Sequence, residues 1–149
     1  MRAPFQILAI PYRFTDDMPL YAVLHRADHD QWQFIAGGGE DNETPFEAAT
    51  REIYEEGGVS AKGLFPLTSM CYVRADCFSV EARANWADDT YVIPEYSFAF
   101  ECNTDITLSS EHKEAIWLSY DEAIKKLKWD SNKTALYELN ERLLNTKHI

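Results

Sequence analysis

Glu52, Glu55 and Glu56 stand at i, i+3 and i+4 in one short stretch, a spacing that gathers three carboxylates on one side of a helix. Like charges so close repel one another, weaken the helix and raise one another's pKa unless something compensates. Two explanations remove the conflict. Either the face is fully solvated, or it holds a hard divalent cation. The surroundings bear on the choice. Gly37-Gly38-Gly39 reads as a glycine-rich loop that feeds the helix and lets backbone approach a ligand closely. Another acid, Glu43, precedes the helix. Arg51 lies among the acids, beside Glu47 at i−4 and able to brace Glu43 or another carboxylate. Oxygen donors on a rigid element suit Mg²⁺ or Mn²⁺ better than zinc.

The elements that would position these groups are legible in outline. Phe5 to Arg13 and Leu20 to His25 read as strands separated by a polar connection from Thr15 to Pro19. Trp32 to Ile35 reads as a third strand, ended by the three glycines. The helix start is well marked: Thr44 as N-cap, Pro45 at the first helical position and Glu47 closing a capping box. Gly57-Gly58 stops it. Phe46, Ala49 and Ile53 form its apolar stripe. Val59 to Val80 and Thr90 to Cys102 read as further strands around a loop from Glu81 to Asp89. Ile116 to Leu118 is a last short strand. Helices follow over Tyr120 to Leu127 and Ser131 to Leu144, the latter with Leu136, Leu139 and Leu143 on its apolar side. Strands interleaved with helices predict an α/β sandwich around a mixed sheet, in one domain over 1–149.

Composition narrows the function. The net charge of −11 over 149 residues repels polyanions and disfavours nucleic acid and anionic membranes as partners. A small anionic molecule stays compatible if a bound cation inverts the field locally. Cys71, Cys77 and Cys102 are odd in number and lack metal-site spacing, so they read as small hydrophobes in a reducing, cytoplasmic setting. Met1 to Tyr12 reads as a first strand and not as a signal peptide.

The stretch from Gly37 to Val59, GGGEDNETPFEAATREIYEEGGV, resembles the Nudix box at every defining position. These are Gly37, Glu43, Arg51-Glu52-Ile53, Glu55-Glu56 and Gly58-Val59. The resemblance implies the Nudix α/β/α fold and a metal-dependent pyrophosphohydrolase acting on a phosphoanhydride in a nucleotide-like substrate. Carried over by position, Glu52, Glu55 and Glu56 are metal ligands, with Glu52 a candidate base. Glu43 and Arg51 orient them, and the carbonyl of Ala36 supplies a further ligand. Glu111, before the last strand, matches a place where several Nudix enzymes put an extra metal-binding or catalytic Glu. His112 beside it reads as exposed or capping.

Short segments outside the box resemble the dihydroneopterin triphosphate pyrophosphohydrolase group. They are Ala3 to Leu8, Leu24-His25-Arg26, Trp32-Gln33, Glu111-His112, Trp117-Leu118 and Trp129 to Lys133. Within that resemblance Arg26 binds substrate phosphate, with a surface salt bridge as the alternative. Ala36 and Gly37 border the substrate. Trp32, Tyr91, Tyr96 and Phe98 are candidate stacking surfaces for a pterin or purine ring, and Glu95 a hydrogen-bonding partner for its nitrogens. ADP-ribose or diadenosine-polyphosphate hydrolysis, a non-catalytic nucleotide sensor and an acidic protein-interaction module are the competing readings. The chain is expected to act as a monomer or homodimer.

Overall fold

The first two strands meet in a hairpin whose turn is two aspartates. In the computed structural model, which describes residues 1–145, β1 runs Arg2–Thr15 and β2 runs Met18–Arg26. Asp16 and Asp17 take φ of 52° and 65°, the paired left-handed geometry that matches the twist of a hairpin. Short polar side chains tolerate that conformation. The connection is therefore tighter than the Thr15–Pro19 segment expected, and Pro19 already pairs with Phe14 inside the ladder.

The next strands correct the reading of the glycines. β3 (Trp32–Gln33) is followed after one residue by β4 (Ile35–Glu40), so Gly37, Gly38 and Gly39 form a strand and do not end one. Gly37 pairs with Ile7 and Gly38 with Gln6 of β1. What demands glycine is crowding: a Cβ on Gly38 would sit 1.8 Å from the Arg2 guanidinium, and one on Gly39 2.1 Å from the Phe5 ring.

Helix α1 spans Pro45–Gly57 with the full capping box on Thr44 and a left-handed Gly58 closing it. Its buried stripe is Ala49 and Ile53, completed by Ala48, Glu56 and Gly57. Phe46 does not belong there; it stays half exposed with its edge on Phe98. β5 (Phe65–Arg74) and β6 (Val92–Glu101) are shorter than the strands expected. Residues 75–91 leave the sheet, beginning with a 3₁₀ turn at Ala75–Cys77, and pack a small core of Ala75 and Trp86 against Ile93 of β6. The Trp86 indole N–H donates to the Arg2 carbonyl at 2.9 Å and pins this long loop over the start of β1.

β7 (His112–Leu118) begins four residues earlier than expected and is followed by α2 (Tyr120–Lys126) and α3 (Asp130–Asn145). All seven strands form one mixed sheet ordered β3-β2-β1-β6-β5, with β4 also on β1 and β7 on β2. β1 and β6 run parallel and the other pairs antiparallel. Alternation along β1 separates two cores. Ile7 and Ala9 pack with α1, whereas Leu8, Ile10 and Tyr12 pack with α2 and α3. This is the expected α/β/α sandwich. Buried amides lock α3 in place: Asn140 accepts from the Tyr21 hydroxyl at 2.6 Å, and Asn132 from the Phe34 N–H at 3.0 Å, where β3 gives way to β4. No described helix is long and apolar enough to cross a membrane.

Candidate active site

The three helix acids do not share one fate. A step of one residue turns a helix by about 100°, and that separates Glu55 from Glu56. Glu55 keeps 57% of its side chain exposed, whereas Glu56 keeps 4% and faces His112. Glu52, between them on the helix face, is 12% exposed. Its carboxylate rests against bare backbone: a Cβ on Gly37 would lie 2.2 Å from the Glu52 carboxyl carbon.

Arg51 organises the group. Its Nε and Nη2 donate to both oxygens of Glu43 at 2.8 and 2.9 Å, a bidentate pair. Nη1 donates to Glu52 at 2.8 Å and Glu55 at 3.1 Å, and Nη2 also reaches the Gly38 carbonyl at 2.8 Å. One guanidinium thus ties the segment before α1, two turns of α1 and the glycine strand together. Arg51 hydrogen-bonds with Glu43 and pairs with Glu52, which raises its pKa, and it holds the Glu43 carboxyl below the usual carboxylate value. Glu47, offered as a neighbour for Arg51, instead accepts from the Thr44 N–H in the cap.

Glu56 meets a partner that the sequence reading set aside. His112 is not exposed or capping. Its side chain is 1% exposed, and its Nδ1 stands 3.7 Å from Glu56 Oε1. Both atoms are buried without a hydrogen-bond partner among the described residues. Glu111 supplies a carboxylate oxygen so that the ligand atoms of Glu56, Glu111 and His112 lie within 4.8 Å of one another. Burial and the Glu52 carboxylate push the Glu56 carboxyl up to about 10. Burial, with Arg26 nearby, lowers His112 and keeps its imidazole neutral near pH 7. Buried orphan atoms, crowded carboxylates and a cradle that tolerates only glycine fit a divalent cation, because a cation would satisfy the orphans and neutralise the acids together.

Beside this cluster opens a cavity of about 690 Å³, whose lining includes Ala36, Gly37, Glu111 and His112. Arg26 lies at its wall, with its Nε and Nη2 paired to Asp28 at 2.8 and 2.7 Å. Glu95 is buried in the lining, with long contacts from Gln6 Nε2 at 3.4 Å and Cys71 Sγ at 3.6 Å. Burial raises its pKa, and hydrogen bonds from Cys71, Ser131 and Gln6 offset part of that.

The aromatic candidates fall elsewhere. Trp32 is outside the lining, stacked on His25 at 4.3 Å with Lys126 over its ring. Phe98 is core, Tyr96 packs on Phe5 and Tyr91 is exposed away from the cavity. The aromatic lining is Phe78 and Trp129, neither of them among the strand aromatics expected there. Trp129 carried a signal, a large aromatic just before a helix start; Phe78 sits in the long loop and carried none. Of the cysteines, Cys102 is buried, Cys71 is half-buried and Cys77 is exposed at the cavity edge.

An acidic helix braced by one arginine against a glycine strand, inside this sandwich, defines a class as well as a site. The NUDIX domain family matches residues 8–139, and the chain belongs to that family. A crystal structure of a Listeria monocytogenes protein assigned to the NUDIX hydrolases is 47% identical, with a TM-score of 0.84 and 96% of each chain covered. The Escherichia coli dihydroneopterin triphosphate pyrophosphohydrolase shares the fold at 24% identity and a TM-score of 0.73, covering 93% of this chain and 97% of that one. Nudix hydrolase 13 of Arabidopsis thaliana is 34% identical over 70% of this chain. An 8-oxo-(d)GTP phosphatase of Mycolicibacterium smegmatis is 28% identical over 86% of it. The chain spans 36% of the Mycolicibacterium protein and 52% of the Arabidopsis one.

Proposed function

We propose that this chain is a divalent-cation-dependent pyrophosphohydrolase that cleaves a phosphoanhydride in a nucleoside or pterin triphosphate. The observation that carries the reading is the pair of orphaned, buried atoms on Glu56 and His112, set among acids at the end of a cavity large enough for such a molecule. Glu52, Glu56 and Glu111, with the Ala36 carbonyl, would hold Mg²⁺ or Mn²⁺, and Glu55 would have to swing from Arg51 to join them. The ion supplies neutralisation of the phosphoryl oxygens and stabilisation of the leaving phosphate.

The chain's own groups do the rest. Arg51 holds Glu52 by one hydrogen bond, and where Glu111 serves as the ligand the second Glu52 oxygen would take a proton from the attacking water. Glu111, on the loop, is the second candidate for that proton. Water attacks one phosphorus, the bond from that phosphorus to the bridging oxygen breaks, and the departing phosphate keeps that oxygen. Arg26 exchanges Asp28 for a substrate phosphate, which suits a planar guanidinium equally well. Most of the rate then comes from positioning and charge. Pyrophosphate or phosphate release should be measured over dihydroneopterin triphosphate, dATP, dGTP, 8-oxo-dGTP, ADP-ribose and diadenosine polyphosphates with Mg²⁺ or Mn²⁺. Release from none of them sinks the reading.

Glu95 favours one class of ring. A carboxylate only accepts, and the 2-amino-4-oxopyrimidine edge shared by pterin and guanine offers two adjacent N–H donors. Adenine offers one donor beside an acceptor there and leaves one oxygen of the acid facing a lone pair. Glu95→Gln is expected to lower kcat/KM for the pterin and guanine triphosphates about 10²-fold and to leave dATP nearly unchanged. The same variant carries a pH signature. Because burial raises Glu95 in the folded state, its stabilising contribution is complete below its ordinary value of 4.5 and is lost as pH rises through the raised value. Thermal midpoints should therefore fall with pH more steeply in the parent than in Glu95→Gln. Equal slopes and an unchanged substrate ranking would remove Glu95 from this role.

Gly37→Ala tests the cradle. The added Cβ overlaps the Glu52 carboxylate, which has to swing away. A displacement of about 1 Å can cost about 10²-fold in rate, so turnover should fall by that order while circular dichroism stays native. Full turnover in Gly37→Ala would show that the Glu52 position does not matter.

A further inference from the structure

We propose that His112 ligates the divalent cation through Nδ1, making the centre a mixed nitrogen and oxygen site that prefers Mn²⁺ over Mg²⁺; this rests on the cation-dependent reading above. His112 opens β7 opposite Arg26, at a register irregularity between His25 and Arg26 in the β2–β7 ladder. Such a bulge re-aims a side chain, and this one ends fully buried against the acids of α1 and the Glu111 loop.

The geometry is that of two ligands waiting for a third atom. At 3.7 Å, His112 Nδ1 and Glu56 Oε1 are too far apart to hydrogen-bond, yet neither has another partner among the described residues. Two atoms bound to one octahedral ion at about 2.1 Å stand roughly 3 Å apart when cis and roughly 4.2 Å apart when trans. The observed spacing lies between these limits, so a small side-chain adjustment completes either arrangement. Glu111 closes the triangle within 4.8 Å.

The other ring nitrogen is already held. Gln33 Nε2 lies 3.3 Å from His112 Nε2. A half-turn of that amide presents its oxygen instead, which accepts from Nε2–H and leaves the Nδ1 lone pair facing Glu56. Metal-binding histidines are commonly oriented through their second nitrogen in this way. An imidazole ligand favours Mn²⁺ over Mg²⁺, which prefers oxygen donors throughout.

The test uses the full chain and Mn²⁺ alone, without substrate. Electron spin-echo spectroscopy of bound Mn²⁺ should show a directly coordinated ¹⁴N, replaced by ¹⁵N in protein labelled at histidine and lost in His112→Gln. In competition titrations His112→Gln should weaken Mn²⁺ on the order of 10-fold and change Mg²⁺ by less than about 2-fold. The labelled parent needs no substitution, and among the described residues His112 is the histidine set in the acid cluster, so a ¹⁵N coupling supports the assignment even if His112→Gln fails to fold. Mn²⁺ that binds without a histidine nitrogen, or a coupling that persists in folded His112→Gln, overturns the assignment and leaves the cation-dependent reading standing. Failure of the parent to bind Mn²⁺ at all overturns both.

Discussion

Glu56→Gln is expected to cut turnover roughly 10²–10³-fold while making the metal-free protein harder to unfold. The two effects have one origin. Glu56 is buried beside Glu52 with one oxygen unpartnered, and burial pushes its carboxyl up to about 10, so the fold resists holding it charged without a counter-ion. Glutamine keeps the shape, removes the ionisation and removes the ligand. The thermal midpoint of the metal-free variant should rise by about 5 °C. Adding Mn²⁺ reverses the order. A ligand at a hundred times its Kd stabilises by about 2.7 kcal/mol, which the parent should gain and Glu56→Gln should largely lose. Calorimetry of both proteins with and without Mn²⁺ gives all four midpoints. Glu55→Gln is the control: Glu55 is exposed and its carboxylate pairs with Arg51, so its loss should cost less activity and leave metal-free stability nearly unchanged. A Glu56→Gln protein as active as the parent would show that the buried acid is not a ligand.

The different environments of these neighbouring acids were partly legible. Ala49, Ile53 and Glu56 are spaced by four and three residues, so the apolar stripe itself carries Glu56 onto the buried side, whereas Glu55 falls off it. The capping box and its Pro45 were legible for a similar reason: the interactions close within a turn of chain. What was hidden depends on pairing across long separations. Gly37 to Gly39 have low intrinsic preference for a strand, and only Arg2, Phe5 and Glu52 pressing on them explain a strand there. His112 is buried because β7 starts early and pairs with β2 through an irregular register. Phe78 reaches the cavity because Trp86 anchors a loop of residues 75–91 to the carbonyl of Arg2. No local pattern announces either contact. The aromatic candidates in strands failed for a physical reason too, since alternation sends such side chains into the two cores before it sends them to a cavity.

Arg51→Ala is expected to destabilise the metal-free protein by about 2–3 kcal/mol, somewhat less than breaking a fully buried ion pair costs, because these acids keep some water access. Removing the guanidinium deletes five hydrogen bonds at once and leaves Glu43 and Glu52 facing each other across an empty space. Arg51→Lys should recover only part of the loss, since one ammonium cannot grip Glu43 with two donors while also reaching Glu52 and the Gly38 carbonyl. Two conditions should shrink the deficit of Arg51→Ala. The first is acid. Arg51 lowers the Glu43 carboxyl in the folded state, so that stabilisation is present above its ordinary value of 4.5 and is lost as pH falls through the lowered one. The second is Mn²⁺, which supplies Glu52 with another positive partner. Urea unfolding of the three proteins at neutral and acid pH, with and without Mn²⁺, resolves these contributions. A deficit that ignores both proton and metal would mean Arg51 acts through packing alone, and the acids of this helix would then need another explanation for their proximity.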